Sequence, residues 1–197
     1  MTAHILCSLA GSTIQRMLAA YGFVCILCLT PACRHRPPTN PAPTTAPTPA
    51  DLASMEPDQA NTAGWDGAWT NLVNDAEQSF TPSFPRLVGV EVELLVGNAG
   101  ATEDDLTLTI LDAIGQTVAV ETKTVQTSNS DHVLFVIPSS GVEVSPGQIY
   151  RVKLTGGITF GWKYVVGGYK NGEATFNGNP LLPGARSTFL FRTFGAK

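Results

Sequence analysis

The stretch RLVGVEVELLV, from Arg86 to Val96, decides the fold of this chain. Apolar side chains recur in it at every second position: Val88, Val90, Val92, Leu94 and Val96. The positions between them are Gly89, Glu91, Glu93 and Leu95. Because successive side chains of a strand point to opposite faces, the alternation predicts a β-strand with one buried face.

The same pattern returns through the rest of the chain. Further strands are predicted at residues 70–73, 78–81, 106–112, 117–125, 133–137, 149–154, 160–166 and 188–194. Turn-forming residues separate them, and no segment shows the helical period over a dozen positions. Three rows are predicted to face a core: Leu106, Leu108 and Ile110; Val133, Phe135 and Ile137; Tyr150, Val152 and Leu154. Many short strands of this kind predict an all-β fold, an antiparallel β-sandwich of the jelly-roll type.

Composition excludes several classes of site in this region. The four cysteines, Cys7, Cys25, Cys28 and Cys33, all precede it, so it cannot contain a disulfide framework. From residue 64 onward acidic side chains outnumber basic ones, and no basic run occurs. Nucleic acid is therefore not an expected partner.

The first 33 residues form a separate region. Arg16 precedes an uninterrupted apolar run, MLAAYGFVCILCL, and small residues follow it. This order predicts a secretory signal peptide. The run is shorter than the roughly 20 residues that a membrane-spanning helix needs, so a cleaved signal is favoured over a retained anchor.

The end of that region, LTPAC at residues 29–33, resembles the lipobox of bacterial lipoproteins. Ala32 is the expected small residue before the cysteine, whereas Thr30 stands where the family usually has leucine. The resemblance implies a lipid on Cys33 and attachment to the membrane of the bacterial cell envelope. Ordinary secretion is the alternative. Cys25 and Cys28 lie inside the apolar run and are interpreted as small apolar side chains.

Residues 34–63 are rich in proline, threonine and alanine. Such a composition offers little to bury and predicts a disordered, extended linker. The predicted organisation is a signal peptide at 1–33, a linker at 34–63 and a β-sandwich module at 64–197. The module is expected to fold without the linker, because its own strands supply its buried rows.

Five segments of the module carry a second resemblance: QSFTP at 78–82, LVGVEVEL at 87–94, VSPGQIYRVKL at 144–154, YKNGEA at 169–174 and FLFRTF at 189–194. Their arrangement resembles jelly-roll modules of bacterial exported proteins. The resemblance implies a sandwich similar in shape to carbohydrate-binding modules, without an assigned activity.

Little in the module predicts catalysis. His132 is its only histidine, and no G-x-S-x-G motif occurs, so conventional nucleophilic triads and histidine-rich zinc sites are excluded. Glu91 and Glu93 remain as a carboxylate pair on one strand face, about 7 Å apart, which would suit a glycoside hydrolase. The favoured alternative is an ordinary solvent-exposed face, so no catalytic residue and no enzymatic activity are expected.

Aromatic side chains are the next candidates. Trp162 and Tyr164 alternate on one predicted strand, and Tyr169 and Phe176 follow in a glycine-rich segment. Exposed rings in a row would form a stacking platform for sugar. Phe160 shares the face of Trp162 and Tyr164, however, so the inner lining of the sandwich is the favoured interpretation. Tyr169 stays a candidate for ligand contact because it is predicted to lie in a loop.

Glu103, Asp104 and Asp105 are weak candidates for a structural calcium ion, and a charged hairpin tip is the alternative. No other cofactor is expected. The predicted function is that of a non-enzymatic cell-envelope lipoprotein that displays an interaction module on a flexible stalk, with a glycan or another envelope protein as partner. The alternative is a carbohydrate-binding module, and a glycoside hydrolase using Glu91 and Glu93 is more remote.

Overall fold

The computed structural model describes residues 45–62, 64–98 and 100–197. These residues form one short α-helix, α1 (Pro49–Ser54), a 3-10 turn at Thr127–Asn129 and fourteen strands. The strands are β1 (Gln59–Asn61), β2 (Trp69–Asn71), β3 (Ala76–Phe80), β4 (Arg86–Val96), β5 (Glu103–Leu111), β6 (Thr117–Gln126), β7 (His132–Val136), β8 (Val142–Glu143), β9 (Tyr150–Thr155), β10 (Phe160–Val166), β11 (Ala174–Phe176), β12 (Asn179–Pro180), β13 (Ser187–Phe189) and β14 (Phe191–Ala196).

The strands pair antiparallel in two sheets. One has eight strands in the order β1-β14-β4-β10-β13, with β2 attached to β10, and β7 and β8 attached to β4. The other has six strands in the order β12-β11-β3-β9-β5-β6. Buried side chains from both sheets form one main core, as expected for two sheets packed face to face. The predicted antiparallel β-sandwich is confirmed.

The three predicted apolar rows all face this core. Their nine side chains are at most 8% exposed, namely Leu106, Leu108, Ile110, Val133, Phe135, Ile137, Tyr150, Val152 and Leu154. In β5 and β9 the buried positions alternate with half-buried ones, as the sequence predicts. Fully burying one side chain of this size contributes roughly 1.5–3 kcal/mol, so the rows account for much of the stability of the sandwich.

Strand β4 departs from its predicted buried row at both ends. Phe194 of β14 pairs with Gly89, but the next residue, Gly195, pairs with Leu87, so β4 carries one extra residue, Val88. This β-bulge turns Leu87 into the main core and Val88 to the outer face. At the other end Val96 is exposed. The continuous row therefore shrinks to Val90, Val92 and Leu94, which are fully buried.

The outer face of the eight-stranded sheet is partly covered by α1. Leu52 of α1 is fully buried against Val88 and Phe194 in a second, smaller apolar cluster. A Cβ on Gly89 would lie only 2.6 Å from Leu52 Cδ1, so glycine at this position makes room for the leucine. Thr48 caps the helix by a reciprocal capping box with Asp51, and the Thr48 hydroxyl, 2.7 Å from the carboxylate, lowers the Asp51 pKa.

Strand β1 extends the same sheet by pairing with β14. Asn61 at its end is buried, and its side-chain amide donates to Thr188 Oγ1 at 3.0 Å and to the Phe189 carbonyl at 2.7 Å. The structure thus differs from the predicted linker of residues 34–63, because α1 and β1 belong to the folded module. Leu52 and Asn61 supply the packing and hydrogen bonds that a proline-rich composition did not suggest.

Candidate functional site

The carboxylate pair lies on the outer face of the eight-stranded sheet. The Glu91 side chain is only 15% exposed, and its Oε1 lies 3.1 Å from Arg192 Nη1 and 3.5 Å from His132 Nδ1. Oε1 is shielded from solvent, yet neither contact has the geometry of a hydrogen bond. Glu93 lies opposite His132 in the strand register and is half-buried. Glu91 is therefore engaged by two cationic or titratable side chains of its own sheet.

Three of the predicted aromatic candidates pack in or against the core. Trp162 is fully buried, its ring stacks on Phe189 with 4.2 Å between centroids, and its N–H donates to the Leu190 carbonyl at 2.9 Å. Tyr164 meets Phe189 edge-on, and Phe176 packs against the core. Trp162 and Tyr164 thus line the inner side of the sandwich, as the favoured interpretation of that strand has it. Trp162 in particular offers no exposed surface to a ligand.

Tyr169 is also buried, at 7% exposure, but its hydroxyl contacts Gln59, which lines an open cleft. Its ring meets Phe191 edge-on, its hydroxyl donates to Gln59 Oε1 at 2.7 Å, and burial raises the pKa of the phenol. The cleft has a volume of about 530 Å³ and is lined by Gln59, Thr81, Pro82, Ser83, Gly147 and Asn171. It thereby brings together residues of the QSFTP, VSPGQIYRVKL and YKNGEA segments.

The acidic segment forms the start of β5 rather than a hairpin tip. Asp105 accepts a hydrogen bond from the Thr124 hydroxyl at 2.6 Å, and Glu103 accepts one from the Gln126 side chain. Asp104 lies on the opposite strand face, over Gly157. The three carboxylates thus point to two faces and do not converge. Across residues 45–62, 64–98 and 100–197, no group of three or more His, Cys, Asp or Glu side chains is placed to hold a metal ion.

Two tryptophans that the sequence interpretation passed over are displayed on the surface. Trp65 is 43% exposed and Trp69 is 42% exposed. Trp69 lies in β2, directly opposite Lys163 of β10, and its indole extends over Gly161 and Gly97. Lys163 Nζ lies 4.9 Å from the centroid of the Trp65 ring. Trp65, Trp69 and Lys163 together form what we call the aromatic face.

A sequence signal for the aromatic face existed. Gly161 interrupts the apolar strand FGWKYVV, and a glycine inside a strand often marks the close approach of another group. The group here is the Trp69 indole, because a Cβ on Gly161 would overlap it. Which aromatic side chain approached could not be read from the sequence, since the pairing of β2 with β10 is long-range.

Cys33, the predicted lipidation site, lies outside the described residues. In the part of the chain that the structure describes, no helix is long and apolar enough to cross a membrane. No protein-family model matches this chain, and no curated protein matches its sequence.

Proposed function

We propose that this chain is a non-enzymatic interaction protein of the bacterial cell envelope. A lipid on Cys33 anchors it, and the proline-rich segment between Cys33 and α1 holds the β-sandwich away from the membrane. At about 3 Å per residue that segment, residues 34–48, reaches up to about 45 Å. The apolar run, Ala32 and Cys33 of the N-terminal region support the anchor.

One observation carries the proposal of a binding role. The sandwich buries most of its large apolar side chains, yet Trp65 and Trp69 keep more than two fifths of their surface exposed, and both lie next to Lys163. Tryptophan is enriched at binding surfaces because it offers a large apolar contact at little cost in conformational entropy. Two displayed indoles next to one lysine favour recognition of a partner.

The candidate catalytic residues favour the same proposal. Glu91 Oε1 lies 3.1 Å from the Arg192 guanidinium, so the carboxylate is held by its own sheet. His132, the only histidine of the sandwich, lies beside the same carboxylate. Neither side chain is paired with a nucleophile in the arrangement that a hydrolytic triad requires.

Metabolic labelling with a palmitate analogue tests the anchor. Wild-type chain expressed in bacteria should incorporate the label, and the Cys33→Ala variant should not. Cys28→Ala is the matched control, since Cys28 lies inside the apolar run, and it should label like the wild type. Equal labelling of the wild type and the Cys33→Ala variant would contradict the anchor.

Carbohydrate binding is the second candidate, and the exposed indoles of the aromatic face favour it, since indole rings stack on the apolar faces of sugars. A glycan array probed with the full chain tests this class. Binding to a restricted set of glycans would support it, whereas binding to none would leave another envelope protein as the partner.

A further inference from the structure

We propose that strand β6 pairs with the β6 strand of a second copy of this chain, so that the two six-stranded sheets join into one sheet across a two-fold axis. This inference goes beyond the proposed function, because it concerns the assembly of the protein and depends neither on the lipid nor on a partner of the aromatic face. Trp69 and Lys163 of that face belong to the eight-stranded sheet. The edge of the six-stranded sheet is therefore a separate surface.

Strand β6 is the longest open edge in the part of the chain that the structure describes. It lies at one end of the six-stranded sheet, where β5 is its only strand partner. β6 spans ten residues, whereas β12 at the opposite edge has two, and β1 and β13 at the edges of the other sheet have three each. Proteins usually keep edge strands short or covered, because the unpaired N–H and C=O groups can pair with another chain. A ten-residue open edge therefore indicates a strand that has such a partner.

The side chains of β6 suit a strand that is paired on both sides. Six of its ten residues are valine or threonine, which pack well on a pleated sheet. On the outer side of the sheet, Val120, Thr122 and Thr124 form a row of exposed side chains. Thr122 lies opposite Thr107 of β5, with 3.0 Å between the hydroxyl oxygens, so this edge is already ordered as a strand. An ordered edge accepts a further strand at a lower entropic cost.

Two opposite charges lie on the inner side of β6. Glu121 pairs with Leu108 of β5 and Lys123 pairs with Leu106, and both leucines face the core. Inward-pointing charges at a sheet edge oppose pairing with most strands, because a neighbouring strand would bury them without a partner. Among the described residues Glu121 takes part in no ion pair. Lys123 Nζ donates to the Leu134 carbonyl at 3.1 Å and retains two further N–H donors.

These two charges select a second copy as the partner and fix its register. In an antiparallel pair of β6 strands centred on Thr122, Glu121 of each copy lies directly opposite Lys123 of the other. Opposite charges at directly opposed positions stabilise a strand pair, and like charges destabilise it. Moving the centre by one residue places Glu121 opposite Glu121, or Lys123 opposite Lys123. Charge complementarity therefore favours the register centred on Thr122 over its neighbours.

The same register matches the remaining side chains of the strand. On the outer side the two copies of Thr122 lie opposite each other, and Val120 lies opposite Thr124. On the inner side Ala119 lies opposite Val125. Pairs of β-branched or apolar side chains stabilise neighbouring strands, and a two-fold axis makes each contact occur twice. The edge is therefore self-complementary over nearly its whole length.

Cysteine cross-linking of the purified full chain in a mild detergent tests the register. The four native cysteines are first changed to alanine, and single cysteines are then placed on the exposed outer row of β6 and oxidised. Thr122→Cys should form a disulfide-linked dimer, because directly opposed residues have the Cα separation that a disulfide requires. Val120→Cys is the matched control, since its two copies lie four residues apart along the strands, about 13 Å. It should not cross-link alone, but it should cross-link when mixed with the Thr124→Cys protein.

Exchange of the two charges tests the ion pairs independently. Analytical ultracentrifugation of the wild-type full chain in the same detergent should show a dimer. Glu121→Lys and Lys123→Glu each place like charges opposite each other, and each should weaken the dimer at least about tenfold. The double variant restores opposite charges and should return the dissociation constant to within about threefold of wild type. Thermal melts show whether each variant is folded, and Thr122→Cys, at an exposed position, keeps the test decisive if a charge variant unfolds.

Three results would overturn the inference. A wild-type chain that stays monomeric at the highest attainable concentration would exclude a second copy as the partner of this edge. Equal cross-linking of the Thr122→Cys and Val120→Cys proteins would show contact without the assigned register. A double charge variant no tighter than the single variants would show that the pairs of Glu121 with Lys123 do not hold the dimer together. The lipid anchor and the partner of the aromatic face would still depend on their own tests.

Discussion

The two sheets share one core but differ in their outer faces. On the six-stranded sheet the outer positions of β5 and β9 are half-buried polar side chains such as Thr107, Thr109 and Lys153. On the eight-stranded sheet the outer face is covered by Leu52 at one end and carries the Glu91 ion pairs and the exposed Trp69 elsewhere. The outer face of the six-stranded sheet is partly exposed to solvent, whereas the eight-stranded sheet has packed or paired side chains on both faces. We therefore expect a binding site on the eight-stranded sheet.

The largest expected effect concerns the core between the two sheets. Val92→Asp would place a carboxylate without a partner among fully buried side chains, and we expect it to destabilise the protein by more than about 4 kcal/mol. Glu93→Ala, one position along on the outer face, should change the free energy of unfolding by less than about 0.5 kcal/mol. Chemical denaturation measures both. If the two substitutions lowered the free energy of unfolding equally, the assignment of Val92 to the inner face and of Glu93 to the outer face would be wrong.

The next effect separates the two outer faces directly. Leu52→Ala should cost about 2–5 kcal/mol, because it empties a fully buried position above Gly89. Ile149→Ala is the matched truncation of an aliphatic side chain beside the six-stranded sheet, where Ile149 is 56% exposed. It should fall within about 0.5 kcal/mol of wild type. A Leu52→Ala protein as stable as the Ile149→Ala protein would show that α1 does not cover the sheet in solution.

A smaller effect is expected for the ion pairs of the two sheets. Arg192 lies 3.1 Å from Glu91 on the eight-stranded sheet, and Arg151 lies 3.8 Å from Glu77 on the six-stranded sheet. Both carboxylates are 15% exposed, but Glu91 Oε1 is fully shielded. Arg192→Ala should cost about 1–3 kcal/mol because it isolates a shielded oxygen. Arg151→Ala should cost about 0–1 kcal/mol, as for other partly exposed pairs.

Urea denaturation of the two arginine variants sharpens the comparison. If the Arg151→Ala protein proved the less stable of the two, the outer face of the six-stranded sheet would be the more tightly organised one. That ranking would contradict the role assigned to Glu91 as a carboxylate held by its own sheet.

The six-stranded sheet was the more predictable from sequence. Strict alternation in β5 and β9 follows from one solvated face, so Leu108 and Val152 could be placed in the core from the pattern alone. On the eight-stranded sheet the pattern misled at the start of β4, because a bulge at Val88 places Val88 on the outer face and Leu87 in the core. Covering of the outer face by Leu52 likewise depends on long-range packing that no local pattern encodes.

The candidate site was less predictable than the fold. Trp162 and Trp69 lie on paired strands, yet one is fully buried and the other is exposed. Their residue type and spacing do not distinguish them. The difference arises because Trp162 points into the main core between the two sheets, whereas Trp69 extends over glycines on the outer face. Only the pairing of β2 with β10 reveals it.

Acrylamide quenching of tryptophan fluorescence tests most directly the central claim, that Trp65 and Trp69 are displayed on the surface and Trp162 is buried in the core. A Trp65→Phe/Trp69→Phe protein retains only Trp162, and its emission should be blue-shifted and only weakly quenched. A Trp162→Phe protein that remains folded retains Trp65 and Trp69, and its emission should be red-shifted and strongly quenched. Equal quenching of the two folded proteins would contradict the account.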